Sequence, residues 1–492
     1  MMRAGATHGG LVKWLPRPAY LITALVGGLG IGALVAVEPY VRGTLELTIK
    51  EYNLLDLFPY QLLLLILGAA MALLVVPYVG DNRIERFIVF LLFLPPHFRG
   101  LTVITGPAVT VLALAFLLER RFYYRDTSWN PTPVYILALA TVPMNFVSVS
   151  VVGGAVGWVR EGTIESLHVI LLFILINAII TRERLKSCFR YLVGIGVFSS
   201  IVAIVTFLLY MFTGFGISTA SSEYRMGETP WGVTMRATAF AGHPNSLAIL
   251  LGAPAVMLLY LALSPLALSR RQRLVLLGVT GVFLLAIYTT LSRGSWVGIA
   301  AAIAVMPFFR KPSWWPFFLA VIAIAISVGL TTGMLQQGVS SFYASFVEQR
   351  AEAVECRMYY IWRGVGILQR YPLTGIGLGA FGRYNPDPAA VGIHNLEMQL
   401  ATEVGIPGAL IHMGLIILVT VRAFLAMLSA RSTEGRTIMQ MVLLALVMTL
   451  VHGQFDILAF TYHIWFVLGM AEAATLCIRR SEAVGAGPSF AR

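Results

Sequence analysis

Charge is what this chain has least of. Of its 492 residues only 12% are Asp, Glu, Lys or Arg, while 58% are hydrophobic. A soluble domain carries roughly 25% charged residues. That scarcity excludes a soluble enzyme of this length, and long apolar runs recur from end to end, so lipid is the solvent for most of the chain. Cysteine is nearly missing too. Cys188, Cys356 and Cys477 fall in separate segments and form no CxxC, which argues against a disulfide framework or a thiolate metal site. The sequence has no DxD-like acidic pair in its polar loops and no cluster with metal-ligand spacing, so chemistry without a metal or other cofactor is expected. Low-complexity tracts and convincing internal repeats are also lacking. No cleavable leader followed by a soluble domain is evident; the first apolar run, Tyr20 to Val37, reads as a retained helix.

The charge that is present is lopsided, with 35 Lys and Arg against 23 Asp and Glu and a net charge of +12. In a soluble protein this would suggest nucleic acid. Here the basic residues lie between apolar runs, so the pattern is topological. A helix needs about 20 residues to cross the hydrocarbon. Fourteen helices are expected, near 19–37, 59–79, 84–95, 100–118, 133–149, 165–181, 189–214, 243–268, 273–291, 294–309, 315–333, 396–428, 437–452 and 457–478. With Arg3, Lys13 and Arg17 inside, the Arg120, Arg182, Arg270, Arg310 and Arg479 clusters all fall inside as well, and both termini are cytoplasmic. The expected organisation is N-terminal transmembrane helices over 1–214, an outer loop over 215–242, central helices over 243–333, a large outer loop over 334–395, C-terminal helices over 396–480 and a cytoplasmic tail over 481–492. The fold class is therefore an all-α polytopic membrane protein of about 12 to 14 helices. Within the large loop, Phe346 to Leu368 reads as an amphipathic helix on or near the membrane surface, with Val354, Met358, Ile361, Val365 and Leu368 at helical spacing.

The charge rule depletes the outer face of basic residues, so those remaining there need a reason. They are Arg225 and Arg236 in the first loop, Arg293 in the turn between two helices, and Arg350, Arg357, Arg363, Arg370 and Arg383 in the large loop. Arginine offers a permanently charged planar fork suited to phosphate. The plainer readings are a headgroup anchor for Arg236, snorkelling for Arg293 and an ordinary surface residue for Arg357. His243-Pro244-Asn245 opens a helix, where Pro suits the first turn. Its plain reading is capping, although Asn245 just inside the membrane would face the bundle or a wet cavity. His394-Asn395 precedes a helix carrying Glu397 and Glu403. A histidine here is either a cap or a general base, since its unperturbed pKa lies near 6.5 and neighbouring arginines favour the neutral ring. Asp456, flanked by His452 and Gln454, falls in the last outer turn and could pair with one of the arginines. Tyr371 to Gly379 has a glycine pattern but no preceding strand, which excludes a dinucleotide loop; the glycines permit tight turns beside a ligand.

Four stretches together resemble the O-antigen ligase and O-antigen polymerase superfamily: Arg236 to Asn245 (RATAFAGHPN), Leu291 to Gly298 (LSRGSWVG), Tyr371 to Gly379 (YPLTGIGLG) and His394 to Gly405 (HNLEMQLATEVG). The resemblance implies a GT-C-like, inverting, metal-independent glycosyltransferase of the bacterial inner membrane, with its active site on the periplasmic side. Its donor would be a glycan on undecaprenyl pyrophosphate and its acceptor a lipid A core or another glycan, with membrane lipid around it and no nucleic acid. By the family's pattern Arg236, Arg293 and Arg357 hold the pyrophosphate and His394 activates the acceptor hydroxyl. His243, Asn245, Asn395, Glu403 and Asp456 are supporting candidates. The ligase type is taken first; a polymerase joining lipid-linked repeats of O-antigen, capsule or exopolysaccharide shares the same donor and site. A different class, a secondary transporter of lipid-linked or anionic substrates, expects charges near mid-membrane, whereas these helices carry few. A peptidoglycan-type elongating enzyme would rely on a loop carboxylate such as Asp387 instead of His394.

Overall fold

A computed structural model describes residues 129–152, 167–179, 181–214, 226–229, 232–239, 241, 243–310, 351–384, 392–457 and 461–485. In chain order the elements are α1 (Val134–Val152), α2 (Leu167–Ala178), α3 (Arg182–Thr213), β1 (Met226–Thr229), β2 (Gly232–Met235), α4 (Pro244–Leu263), α5 (Arg270–Thr289), α6 (Arg293–Arg310), α7 (Ala351–Arg370), α8 (Phe381–Tyr384), α9 (Leu396–Ser429), α10 (Thr433–His452) and α11 (Tyr462–Gly485). The all-α polytopic class is borne out. Among the described residues, α3, α4, α5, α9 and α10 are long and apolar enough to cross a membrane. The helices expected near 19–37, 59–79, 84–95, 100–118 and 315–333 lie outside the described residues, and the total number of crossings with them.

Two local differences from the sequence reading have simple causes. α3 begins at Arg182 rather than 189, because the Thr181 side chain accepts from Arg184 N and caps the helix there. The segment before α4 contains an antiparallel hairpin, β1 with β2, in the register Met226 to Met235. It packs over the α5–α6 turn: a Cβ on Gly227 would lie 2.4 Å from Leu291 Cδ1 and 3.1 Å from Arg236 Cγ.

The bundle has one strongly basic end. Arg182 reaches Glu482 at 3.2 Å and Glu434 at 3.7 Å, and Lys186 pairs with Glu434, which ties the start of α3 to the start of α10 and the end of α11. Arg273, on the first turn of α5, donates to the Ala262 carbonyl in the last turn of α4 and to the Ser264 and Leu266 carbonyls just beyond it. The Gln440 amide of α10 donates to the Phe309 carbonyl at the end of α6. The opposite end therefore collects the start of α4, the end of α5, the start of α6, the start of α9 and the end of α10.

The helix α9 is not continuous. Straight, its 34 residues would span roughly 51 Å, whereas the 20 residues of α10 span roughly 30 Å. The two are joined by a short connection at one end, yet at the other end Leu396 N donates to Gly453 O at 3.0 Å. The excess length is taken up at Gly405, whose φ of 73° and ψ of 171° interrupt the helix. Pro407 follows and has no N–H for the Glu403 carbonyl. The segment between α7 and α9 supplies what the break removes. Ile376 N donates to Thr402 O at 3.0 Å, Gly377 N to Glu403 O at 2.9 Å, and Ile406 N to Pro372 O at 2.8 Å. Gly375 and Gly377, at φ of 63° and 100°, lie against this backbone; a Cβ on Gly375 would meet Glu403 O at 2.5 Å. The glycines of Tyr371 to Gly379 thus make the expected tight turns and allow a close approach to α9 itself.

The α7–α9 region also has its own small core of Tyr360, Ile367, Ile376, Ala380, Phe381 and Ile393. This core seats the amphipathic helix, which runs over Ala351–Arg370, against the first turns of α9.

Candidate functional site

The five helix ends at the less basic pole bring together residues far apart in sequence. Arg236 follows β2 directly. Its neighbour Ala237 N donates to Thr289 O at 2.9 Å, which fixes the strand exit on the α5–α6 turn. The Arg236 guanidinium then donates through Nε to Thr290 O and through Nη2 to Asn245 Oδ1, both at 2.8 Å. These bonds use two of its five N–H groups. A lipid-headgroup anchor would point away from the protein; this side chain is instead braced by it.

His243 takes the capping role at the start of α4: its Nδ1 accepts from Asn245 N at 3.2 Å. Asn245, on the first turn, is the hinge of the site. Its Oδ1 receives Arg236, and its Nδ2 donates to Asp456 Oδ1 at 3.2 Å. Asp456 lies in the turn between α10 and α11. The sequence reading offered it an arginine as partner. The structure gives it histidines instead, with Arg236 reached only through Asn245. His452 Nε2 lies 3.1 Å from Asp456 Oδ2, and His394 Nδ1 lies 3.6 Å from Asp456 Oδ1. Ile457 N adds a bond to Oδ1 at 2.9 Å.

Burial raises the Asp456 carboxyl's pKa, but nearby His394, the hydrogen bond from His452 and the electrostatic effect of His452 and His243 outweigh it and hold the group well below the usual carboxylate range. Asp456 is therefore an anion. His394 Nδ1 is buried and makes no hydrogen bond in this state. The accessible fraction of the side chain, 21%, thus lies on the rest of the ring.

Asn395 caps α9 by accepting from Met398 N at 2.9 Å, and donates to Gln454 Oε1 at 3.0 Å. Gln454 Nε2 in turn donates to Glu397 Oε1 at 2.9 Å. Together with the Leu396–Gly453 bond, this strap holds His394 beside the Asp456 turn. Glu403 is 2% exposed and accepts from Gly379 N at 2.9 Å; it anchors the glycine turn at the α9 break.

Arg293 is the first residue of α6 and exposed. The next residue, Gly294, is packed so closely that a Cβ would lie 2.9 Å from Phe455 Cβ and 3.7 Å from His452 Nδ1. Arg293 thus stands beside the Asp456 turn, at a helix N-terminus whose dipole favours anions. Arg357 is exposed on α7. Two turns along the same face, Gly364 touches the α9 approach, with its added Cβ 2.8 Å from Ile393 Cδ1. Arg357 therefore lies on the same face of α7 as Gly364, two turns before it. Arg225, Arg350 and Asp387 lie outside the described residues.

The sequence reading missed two features. His452 is fully buried and bridges Asp456 to Ser295; its signal was the i to i+4 spacing of His452 and Asp456. The second is an ion pair within the helices, where Arg422 of α9 grips Glu472 of α11 in bidentate fashion, with Nε–Oε2 at 2.9 Å and Nη2–Oε1 at 2.7 Å. Thr132 adds a bond to Glu472 Oε1 at 2.7 Å. The spanning helices thus carry more charge than expected, but as a closed pair. Arg293 and His394, which a transporter would place at mid-membrane, lie at helix ends.

This is a polytopic helical membrane protein with a candidate site of arginines and histidines at one end of its bundle. Residues 278–413 match the family model described as O-antigen ligase, in keeping with the resemblance carried by the sequence motifs. The matched stretch holds Arg293, Arg357 and His394; Arg236, Asn245, His452 and Asp456 lie outside it and join the site through the fold. A comparison with curated proteins gave no match.

Proposed function

We propose that this chain is a membrane glycosyltransferase of the ligase type, acting at the outer face of the bacterial inner membrane. It transfers a glycan from undecaprenyl pyrophosphate to an acceptor hydroxyl on a lipid A core, with inversion and without a metal. The observation that carries the reading is the contact of His394 with the anionic Asp456. A carboxylate on Nδ1 favours the tautomer in which Nδ1 carries the proton, leaving Nε2 to take a proton from the acceptor. The acceptor oxygen bonds to the anomeric carbon as the bond to the pyrophosphate breaks, and the hydroxyl proton ends on His394. Arg236, Arg293 and Arg357 stabilise the departing charge; such fixed charge is often the largest single contribution to a rate. The basic pole of the bundle supports the orientation, since the charge rule puts it in the cytoplasm and the site outside.

The test uses the purified chain with undecaprenyl-pyrophosphate glycan, EDTA, and either lipid A core or a second lipid-linked repeat. Transfer to lipid A core is expected. Transfer only to the second repeat would reassign the protein as a polymerase, and transfer to neither would refute the enzyme reading.

A further inference from the structure

One buried histidine at this site has no part in the mechanism above. His452 ends α10 with its side chain only 1% exposed, and both ring nitrogens are engaged: Nε2 lies 3.1 Å from Asp456 Oδ2 and Nδ1 lies 2.8 Å from Ser295 Oγ. Ser295 is itself fully buried and lies 3.3 Å from the Ser292 hydroxyl. A carboxylate can only accept, so His452 donates to Asp456 through Nε2, and Nδ1 is left for the Ser295 hydroxyl. The ring therefore spans two parts of the site. On one side is the first turn of α6, which carries Arg293. On the other is the carboxylate whose second oxygen faces His394.

We infer that His452 is a positioning residue that fixes Asp456 against His394 and locks that pair to the Arg293-bearing end of α6. The inference rests on the reading of His394 as the base. Burial makes the bond from His452 matter: a buried carboxylate short of donors is costly, and the other donors to Asp456, Asn245 and Ile457 N, both serve Oδ1. Among the contacts found for Asp456, His452 is the one that satisfies Oδ2. The charged and titratable groups around it are His394 before α9, His243 before α4, Arg236 through Asn245, and Arg293 on α6. A ring bonded at both ends resists rotation, which holds Oδ1 of Asp456 toward His394.

Two substitutions separate the ring's two contacts. His452→Asn keeps a polar group near the Nδ1 position, toward Ser295, but loses the donor to Asp456. His452→Gln keeps a donor near the Nε2 position. For His452→Asn, kcat/KM should fall roughly 10- to 100-fold, the scale of a misplaced catalytic group. The acid limb of its pH–rate profile should also move, because the carboxylate that faces the base has lost its fixed orientation. His452→Gln should restore the acid limb and most of the rate. Wild-type acid limbs in both variants, or equal losses in both, would overturn the inference, as would a lowered melting temperature with an unmoved profile. His394→Ala, assayed alongside, tests the base reading on its own. If it transfers at the wild-type rate, the base assignment fails whatever the His452 variants do; if it is inactive and the His452 profiles are unmoved, only the present inference fails.

Discussion

Asn245 donates to Asp456 at 3.2 Å while accepting from Arg236 at 2.8 Å, so one amide joins the cation of the site to its anion. Replacing Asn245 by Ala removes both contacts. A hydrogen bond to a charged group contributes roughly 1.5–3 kcal/mol, so kcat/KM should fall about 10- to 100-fold. Titrating the donor in a transfer assay checks this. An unchanged KM and kcat would show that Arg236 needs no brace.

His394→Ala should reduce transfer about 10²–10⁴-fold, the usual contribution of a positioned base, with donor binding little changed. Separate measurement of donor affinity and turnover decides the point; a variant that loses donor binding while keeping turnover would move His394 out of the base role.

Asp456 has a distinct acid signature. Its folded pKa is depressed, so its contribution to stability is fully present above the ordinary carboxylate pKa of about 3.9 and is lost as pH falls through the folded value. The gap in melting temperature between the protein and its Asp456→Asn variant should therefore be constant from about pH 5 to 8 and narrow in stronger acid. A gap that closes near neutrality would contradict an anionic Asp456.

Much of this arrangement was legible in the sequence. The charge rule put Arg236, Arg293, Arg357 and His394 on one side, and the apolar run after Asn395 gave the start of α9. Pairings were not legible, because they depend on packing between distant segments. Nothing local in the runs around Arg422 and Glu472 announces that two isolated charges will meet. The i to i+4 pair His452 and Asp456 was visible, but its link to Ser295 exists only once α6 and α10 pack. The break at Gly405 had a local signal in Gly405-Ile406-Pro407-Gly408, but the apolar run around it reads as one continuous helix.

The Arg422–Glu472 pair should behave as a buried ion pair. Removing one partner by Arg422→Met strands Glu472, which is fully buried, at a cost of roughly 3–5 kcal/mol. The double variant with Glu472→Met should recover most of that loss, as read by thermal melting in detergent. A double variant as unstable as the single one would argue that Thr132 and its surroundings depend on the carboxylate itself.

Gly405→Ala should be among the most damaging small changes in the described chain. A Cβ there would lie 2.4 Å from the Leu373 carbonyl oxygen, and the conformation, with φ of 73° and ψ of 171°, belongs to a region essentially reserved for glycine. A large drop in melting temperature is expected; an unaltered one would mean that the break can relax into a straight helix.

That break has a mechanical consequence. The loop backbone completes the hydrogen bonding of a spanning helix on both sides of Gly405, so the loop cannot flap as a free lid. The glycine turn, the break and the first nine residues of α9 therefore form one rigid mount, with His394 held at its end beside the Asp456 turn.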